Sequence, residues 1–288
     1  MFAMATMLVS AVVNIILDYI FIGRFGWGVE GAAYATIIGQ LSGFVLLISY
    51  FFSGKSLLKF RLDMMIPTIK NATKIIQVGG ATFFTAFGVV VASVFINISL
   101  SKYGGNAALT SMGAINSIYA VFILPIIGLQ HGLQPIVGYN HGANNSDRVK
   151  QALKLAITSG IIFSTIIFVI LQLVPNIFVE LFINSESDTF PGAIKGLRIF
   201  IIMLPLLCIN LIGASYFQSI ASVKKALFLS LIRQIVFLIP AVLIIPIFKG
   251  LDGVWFATPV SDGLAILVTI ILISPVLRNK KNNKELLN

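Results

Sequence analysis

Cysteine, histidine and acidic side chains are scarce in this sequence, and each scarcity excludes a class of site. The 288 residues include one cysteine, two histidines and 10 acidic residues. The lone Cys208 cannot form a disulfide within the chain, and His131 and His141 have no companion ligands at metal-binding spacing, so no metal site is expected. Paired catalytic carboxylates, a glycine-rich phosphate loop and a Ser/His/Asp order are also missing. The sequence therefore favours no enzyme class and no cofactor.

Charge of either sign is also rare. Charged residues make up 10% of the chain, hydrophobic residues make up 58%, and the mean hydropathy is +0.99. A soluble domain needs more polar surface than this, so the composition predicts a polytopic membrane protein embedded in a lipid bilayer. The net charge of +10 is spread over short connections rather than gathered on one face, so nucleic acid is not an expected partner.

Long apolar segments dominate the chain. Windows of about 20 residues can cross roughly 30 Å of hydrocarbon, and they should be helical because an isolated strand cannot satisfy its backbone in lipid. The sequence therefore predicts an all-α fold with eight transmembrane helices, at about 2–22, 32–52, 75–101, 110–136, 153–175, 194–220, 226–248 and 254–276.

Basic residues are distributed unequally between the two sides. The connections after the second, fourth and sixth spans, together with the tail, carry 15 of the 20 lysines and arginines. The positive-inside rule places this set in the cytoplasm. We therefore expect a multi-pass protein of the cell membrane with a cytoplasmic C-terminus.

A nine-residue repeat indicates two bundles. The segment GVEGAAYAT from Gly28 to Thr36 recurs as GLDGVWFAT from Gly250 to Thr258, and both copies open a span on the same side of the membrane. Such repeats indicate parallel bundles related by an axis along the membrane normal. The predicted division is the last two helices of an N-terminal bundle (1–53), a cytoplasmic linker (54–74), a six-helix C-terminal bundle (75–276) and a basic tail (277–288).

The repeat also predicts helices outside this chain. If the second span matches the eighth, the third to sixth spans should have four counterparts upstream of Met1. We therefore expect the chain to represent the C-terminal two-thirds of a twelve-helix protein in which two six-helix bundles form a parallel repeat.

An amide and an acid lie four residues apart in the first span. A carboxylate in hydrocarbon costs roughly 2.5–3.5 kcal/mol on translocon scales, so an acid there usually faces a protein interior or a water-filled path. Helical spacing places Asn14 and Asp18 on one face. They could join helices or form a proton or cation site. The repeat aligns them with Val236 and Pro240, and this asymmetry favours a specialised ion site.

Other polar residues within spans are weaker candidates. Asn97, Asn116, Tyr119 and Asn210 could line a substrate cavity, although interhelical hydrogen bonds explain them equally well. A run near the cytoplasmic end of the fourth span, which contains Gln134, Pro135 and Tyr139, is either structural or part of a gate. Arg233, beside Gln234, either snorkels to the cytoplasmic interface or closes an inner gate, and Pro240 and Pro246 should break the seventh span.

These residues together resemble the multidrug and toxic compound extrusion (MATE) family. The resemblance covers the whole chain and rests on motifs that occur in order, namely NIILD at Asn14–Asp18, GVEGAAYAT at Gly28–Thr36, QPIVGYNHGA at Gln134–Ala143, Phe217-Gln218 and Arg233-Gln234. It implies that the eight spans correspond to the family's helices five to twelve.

The resemblance also implies a site and a mechanism. In prokaryotic members, an Asn and an Asp on the fifth helix and a Thr on the sixth join an acid of the first helix in a cation site. Asn14, Asp18 and Thr36 match three of these positions. The third and sixth spans lack the interior acids of another branch.

The implied function is drug efflux by a monomer that uses alternating access. A proton or Na⁺ would be exchanged for an amphipathic, often cationic, small molecule. A lipid or oligosaccharide flippase of the same superfamily, and a fragment that does not transport, are the alternatives.

Overall fold

The computed structural model describes residues 2–54 and 68–278, and the helices account for nearly all of them. Within these ranges no strand is present. The fold class predicted from the sequence, an all-α polytopic membrane protein, is confirmed. In order, the helices are α1 Phe2–Asp18, the π-helix π1 Tyr19–Arg24, α2 Gly28–Phe52, α3 Ile69–Gly142, α4 Ser146–Leu173, α5 Pro175–Glu180, α6 Phe190–Phe200, α7 Leu204–Ser219, α8 Val223–Leu231, the π-helix π2 Ile232–Leu238 and α9 Ile239–Arg278.

Two of the long helices are interrupted at a glycine. The backbone of α3 turns at Gly105 (φ 62°, ψ −154°), and α9 turns at Gly250 (φ 57°, ψ −136°). These angles lie in a region that residues with a Cβ rarely adopt, so glycine permits each reversal. Five helical segments, or six if α6 and α7 form one bent span, are long and apolar enough to cross a membrane when each of these interrupted helices is counted once. The count of eight spans remains a prediction.

The chain divides into two compact units, Met1–Ala72 and Thr73–Asn288. Unit 1 contains α1, π1 and α2. Unit 2 contains the remaining helices and holds its interior together with three apolar clusters, which are centred on residues such as Leu197, Leu153 and Val242. The predicted assignment of the two units to two transporter bundles remains a prediction. Most of the predicted linker and the predicted tail lie outside the described residues.

Unit 1 is held together by small residues on α2. Gly31, Ala35, Gly39 and Gly43 follow one another at four-residue spacing, all four are buried, and the three glycines lie against α1 or π1. A Cβ built on Gly39 would lie 2.9 Å from both the Asn14 Cβ and the Ser10 carbonyl oxygen. Small residues at this spacing allow two membrane helices to approach closely without a hydrophobic driving force.

Proline residues inside the helices of unit 2 do not break them as the sequence suggested. The seventh predicted span runs continuously through α8, π2 and the first part of α9, and Pro240 and Pro246 both lie within α9. A discontinuous helix at these prolines is therefore wrong, and a bend at them remains a prediction. Pro246 has no N–H for the Val242 carbonyl four residues earlier. The Ser99 hydroxyl donates to that oxygen at 3.2 Å, which satisfies it from a neighbouring helix.

Candidate functional site

The candidate cation site lies at the contact between α1 and α2 in unit 1. The Asn14 amide Nδ2 donates to the Thr36 Oγ1 across the two helices at 3.5 Å. Thr36 in turn donates its hydroxyl to the Ala32 carbonyl at 2.8 Å, so its oxygen is oriented to accept from Asn14. The structure thus brings two of the three predicted site residues into direct contact.

Asp18 lies one helical turn beyond Asn14 and ends α1. Its Oδ1 atom is buried and has no hydrogen-bond partner among the residues that the structure describes. The next residue begins π1, so the wide turn of a π-helix starts at the acid itself. Asp18 is about 12 Å along the helix from Gly26, where the chain turns, which keeps its carboxyl well inside the apolar segment.

This arrangement places oxygen ligands in an apolar environment. An unsatisfied buried carboxyl oxygen is costly, and it can be satisfied by binding a proton or by coordinating a cation. The carboxylate, the amide oxygen of Asn14 and the Thr36 hydroxyl are all hard ligands of the kind that alkali and alkaline-earth ions prefer. Within the described ranges, no three His, Cys, Asp or Glu side chains come together as a transition-metal site.

The predicted cavity residues occupy different environments. Asn97 and Asn116 are exposed on α3, whereas Asn210 is buried in α7 and donates to the Thr269 Oγ1 at 2.9 Å. That bond favours the interhelical role for Asn210 over a cavity-lining role. Tyr119 packs edge-on against Phe200 with ring centroids 5.5 Å apart. No hydrogen bond among the described residues joins these four candidates to one another, and a shared cavity remains a prediction.

The predicted gate residues are also separated. Gln134 donates its Nε2 to the Gln218 Oε1 at 3.5 Å, which links α3 to α7. Tyr139 is 79% exposed on the surface of the same helix. Pro135 lies inside α3. Among the described residues of this helix, the one with non-helical backbone angles is Gly105. The structure supports a helix-joining contact for Gln134, and a gating role for this run remains a prediction.

Arg233 does not snorkel to the interface, so that interpretation is wrong. Its Nε lies 2.6 Å from the Oδ1 of Asp262, and the two side chains are only 17% and 6% exposed. The adjacent Gln234 is also buried. An arginine with a buried carboxylate as partner has no need to reach water, because the opposite charge compensates it within the protein.

Asp262 is the functional candidate that sequence reasoning missed. It lies within the eighth predicted span, and the rule that singled out Asp18, an acid within an apolar span, identifies it equally well. The repeat alignment compared only the positions opposite Asn14 and Asp18, which are Val236 and Pro240. Those two positions do lack an acid and an amide, but the unit as a whole has a buried carboxylate.

Comparison with known proteins gives a consistent family. The family profile described as MatE matches residues 81–244, which is more than half of the chain. The multidrug export protein MepA of Staphylococcus saprophyticus is 25% identical over 276 residues, covering 94% of this chain and 59% of that protein. MepA of Staphylococcus aureus strain MSSA476 is 26% identical over 274 residues, covering 95% and 60%. The chain thus spans about 60% of the length of these curated relatives.

Solved structures share the fold. A crystal structure of MATE in complex with MaL6 superposes with a TM-score of 0.86 at 24% identity, covering 96% of this chain and 63% of that one. A superfamily transporter from Pyrococcus furiosus, whose description says that reversed pocket polarity suggests a different function, gives the same values. Identity this low shows the fold alone. Because the family profile covers more than half of the sequence, the chain belongs to the MatE family.

Proposed function

We propose that the protein is a cation-coupled antiporter that exports amphipathic drugs, with a proton or Na⁺ exchanged at Asn14, Asp18 and Thr36. The observation that carries the proposal is the Oδ1 of Asp18, which is buried in an apolar helix without a partner among the described residues. A proton or a small cation on Asp18 would remove that cost, and its release would restore it. The curated relatives are described as multidrug export proteins, which supports drug-like substrates.

Coupling follows from the difference between the two states of this carboxyl. A ligand shifts a conformational equilibrium only by as much as its affinities for the two conformations differ. Asn14 lies on α1 and Thr36 on α2, so a change in the approach of the two helices changes the ligands available beside Asp18. Binding of the cation therefore favours one arrangement of the pair, and release favours the other.

The test is efflux by Asp18→Asn, with Asp188→Asn as the control. Asparagine preserves size but cannot ionise, whereas Asp188 is an exposed acid outside the apolar helices. Charge-assisted bonds are worth about 1.5–3 kcal/mol, so we expect D18N to weaken the cation dependence of ethidium efflux at least roughly tenfold. D188N should behave as the wild type. Unchanged coupled efflux in D18N would contradict the role of Asp18.

Reconstitution into liposomes distinguishes a chain that transports from one that does not. Liposomes that contain this chain alone are compared with liposomes that contain the product of the same reading frame extended upstream of Met1. Uptake by the extended product but not by the chain alone would assign transport to the longer protein. Uptake by neither would reject the proposal.

The flippase alternative needs uncompensated basic groups for lipid phosphates. Arg233 lies within an apolar helix, and its largely buried guanidinium is paired with Asp262. This pairing leaves no excess positive charge at that position. Drug efflux is therefore the function that the geometry supports better.

A further inference from the structure

Asp262 and Arg233 form a charged pair far from the ends of their helices in unit 2. Asp262 is about 18 Å along α9 from Gly250 and about 24 Å from Arg278. Arg233 is about 15 Å along its helix from Val223, where the helix begins, and about 25 Å from Gly250. The two side chains are only 17% and 6% exposed. A hydrophobic pair of the same volume would often give equal or greater stability, so the retention of two charges calls for an explanation beyond packing.

Oxygen groups lie beside both residues of the pair. The Ser261 hydroxyl, from the residue next to Asp262, donates to the backbone carbonyl of Arg233 at 2.8 Å. The Asp262 carboxylate is therefore at hydrogen-bonding distance from the guanidinium, and the Ser261 hydroxyl bonds the backbone of the same arginine. Carboxylate and hydroxyl oxygens are ligands that a small hard cation prefers.

Each unit places an acid beside a π-helix. In unit 1, π1 begins at the residue after Asp18, and in unit 2, Arg233 of π2 contacts Asp262. The π-helix is rare and occurs frequently at functional sites, where its extra residue per turn redirects side chains. The nine-residue repeat relates α2 to the part of α9 that begins at Gly250. The two related helix pairs thus each contain one embedded acid, although not at aligned positions.

The carboxyl groups of Asp18 and Asp262 differ in whether a partner compensates their charge. The Oδ1 of Asp18 has no partner among the described residues, whereas the Oδ1 of Asp262 is bound to Arg233 at 2.6 Å. We propose that Asp262 is the carboxylate of a second cation site, and that the guanidinium of Arg233 occupies this site as an internal cation. Arg233 thereby sets the number of external cations that the protein binds. The consequence for transport rests on the proposed function, but the binding itself does not.

The test removes the internal cation and measures binding of Na⁺. The probe is the thermal unfolding midpoint of the purified protein in detergent, with NaCl compared with choline chloride at equal ionic strength. All variants carry Asp18→Asn, so a response of unit 1 does not contribute. We expect Arg233→Gln in this background to gain an Na⁺-dependent rise of about 3 °C at ten times the dissociation constant. Adding Asp262→Asn should abolish that rise.

Equal midpoints in NaCl and choline chloride for D18N/R233Q would overturn the proposal, as would a rise that persists after Asp262→Asn. The comparison of the wild type with D18N tests the proposed function separately, because Arg233 and Asp262 are intact in both. The two hypotheses can therefore fail independently.

A second variant covers the case in which R233Q does not fold. Arg233→His supplies a positive charge when the imidazole is protonated and none when it is neutral. The described titratable groups that interact with residue 233 are Asp262 and Tyr119. In D18N/R233H, the Na⁺-dependent stabilisation should be absent at low pH and appear as the pH rises. A response that does not depend on pH, or no response at any pH, would contradict the proposal.

Discussion

The contact of Gly39 with α1 predicts that Gly39→Ala impairs the proposed cation site without replacing any of its ligands. A Cβ at this position would lie 2.9 Å from the Asn14 Cβ and from the Ser10 carbonyl oxygen, whereas ordinary contacts begin near 3.4 Å. The two helices must therefore separate by about 0.5 Å. The bond from Asn14 to Thr36 already measures 3.5 Å, so the separation lengthens it to roughly 4 Å, beyond hydrogen-bonding distance.

Two energies determine the size of the effect. Overpacking costs about 1–3 kcal/mol, and alanine recovers up to about 1 kcal/mol of helix propensity, so we expect a loss of about 0–2 kcal/mol in the free energy of unfolding. The lost hydrogen bond is worth about 0.5–1.5 kcal/mol, which corresponds to a roughly two- to thirteenfold higher half-saturating concentration of the coupling cation.

The measurement is efflux as a function of cation concentration, with the unfolding midpoint recorded in parallel. Gly113→Ala is the matched control, because Gly113 is also helical and a Cβ there meets nothing within 4 Å. Wild-type cation dependence in G39A would refute the reasoning.

Two further predictions concern the stability of unit 2. Ser99→Ala should lower the free energy of unfolding by about 1–3 kcal/mol because it leaves the Val242 carbonyl unsatisfied, and the loss should shrink in a Pro246→Ala background that restores the helical donor. A double-mutant cycle by thermal unfolding checks this coupling, and additive losses would contradict it. Lys195→Ala should cost less than about 1 kcal/mol and nothing measurable in high salt, because Lys195 and Asp252 are 60% and 41% exposed. A loss of several kcal/mol in the free energy of unfolding at high salt would contradict the interpretation of this ion pair as a surface contact.

Much of unit 1 was predictable from local patterns. The spacing of Asn14 and Asp18 identified one helical face, and the family resemblance added Thr36, which the structure places against Asn14. The four-residue spacing of Gly31, Ala35, Gly39 and Gly43 is equally visible in the sequence. It supplies the physical reason for the close approach of the two helices. The role of this site in cation exchange remains a prediction.

Unit 2 was harder to predict because its pairings join distant parts of the chain. Arg233 could be identified as a charge in an apolar span, but its direction depends on π2, whose extra residue per turn alters the helical face that α-helical spacing assigns. Pro246 suggested a broken helix because sequence alone does not show that Ser99 satisfies the freed carbonyl. In both cases a contact from another helix decided the outcome.

The sequence by itself determined that this is an all-helical membrane protein of the MatE family. Hydropathy and motif order are properties of each segment, and they hold whichever helices become neighbours. Only the tertiary structure decided which embedded charges are compensated. Asp18 and Asp262 both appear in the sequence as acids within apolar spans, and packing pairs Asp262 with Arg233 while the Oδ1 of Asp18 has no partner among the described residues. The cost of a buried charge depends on what lies within a few ångströms, and helix packing sets those distances.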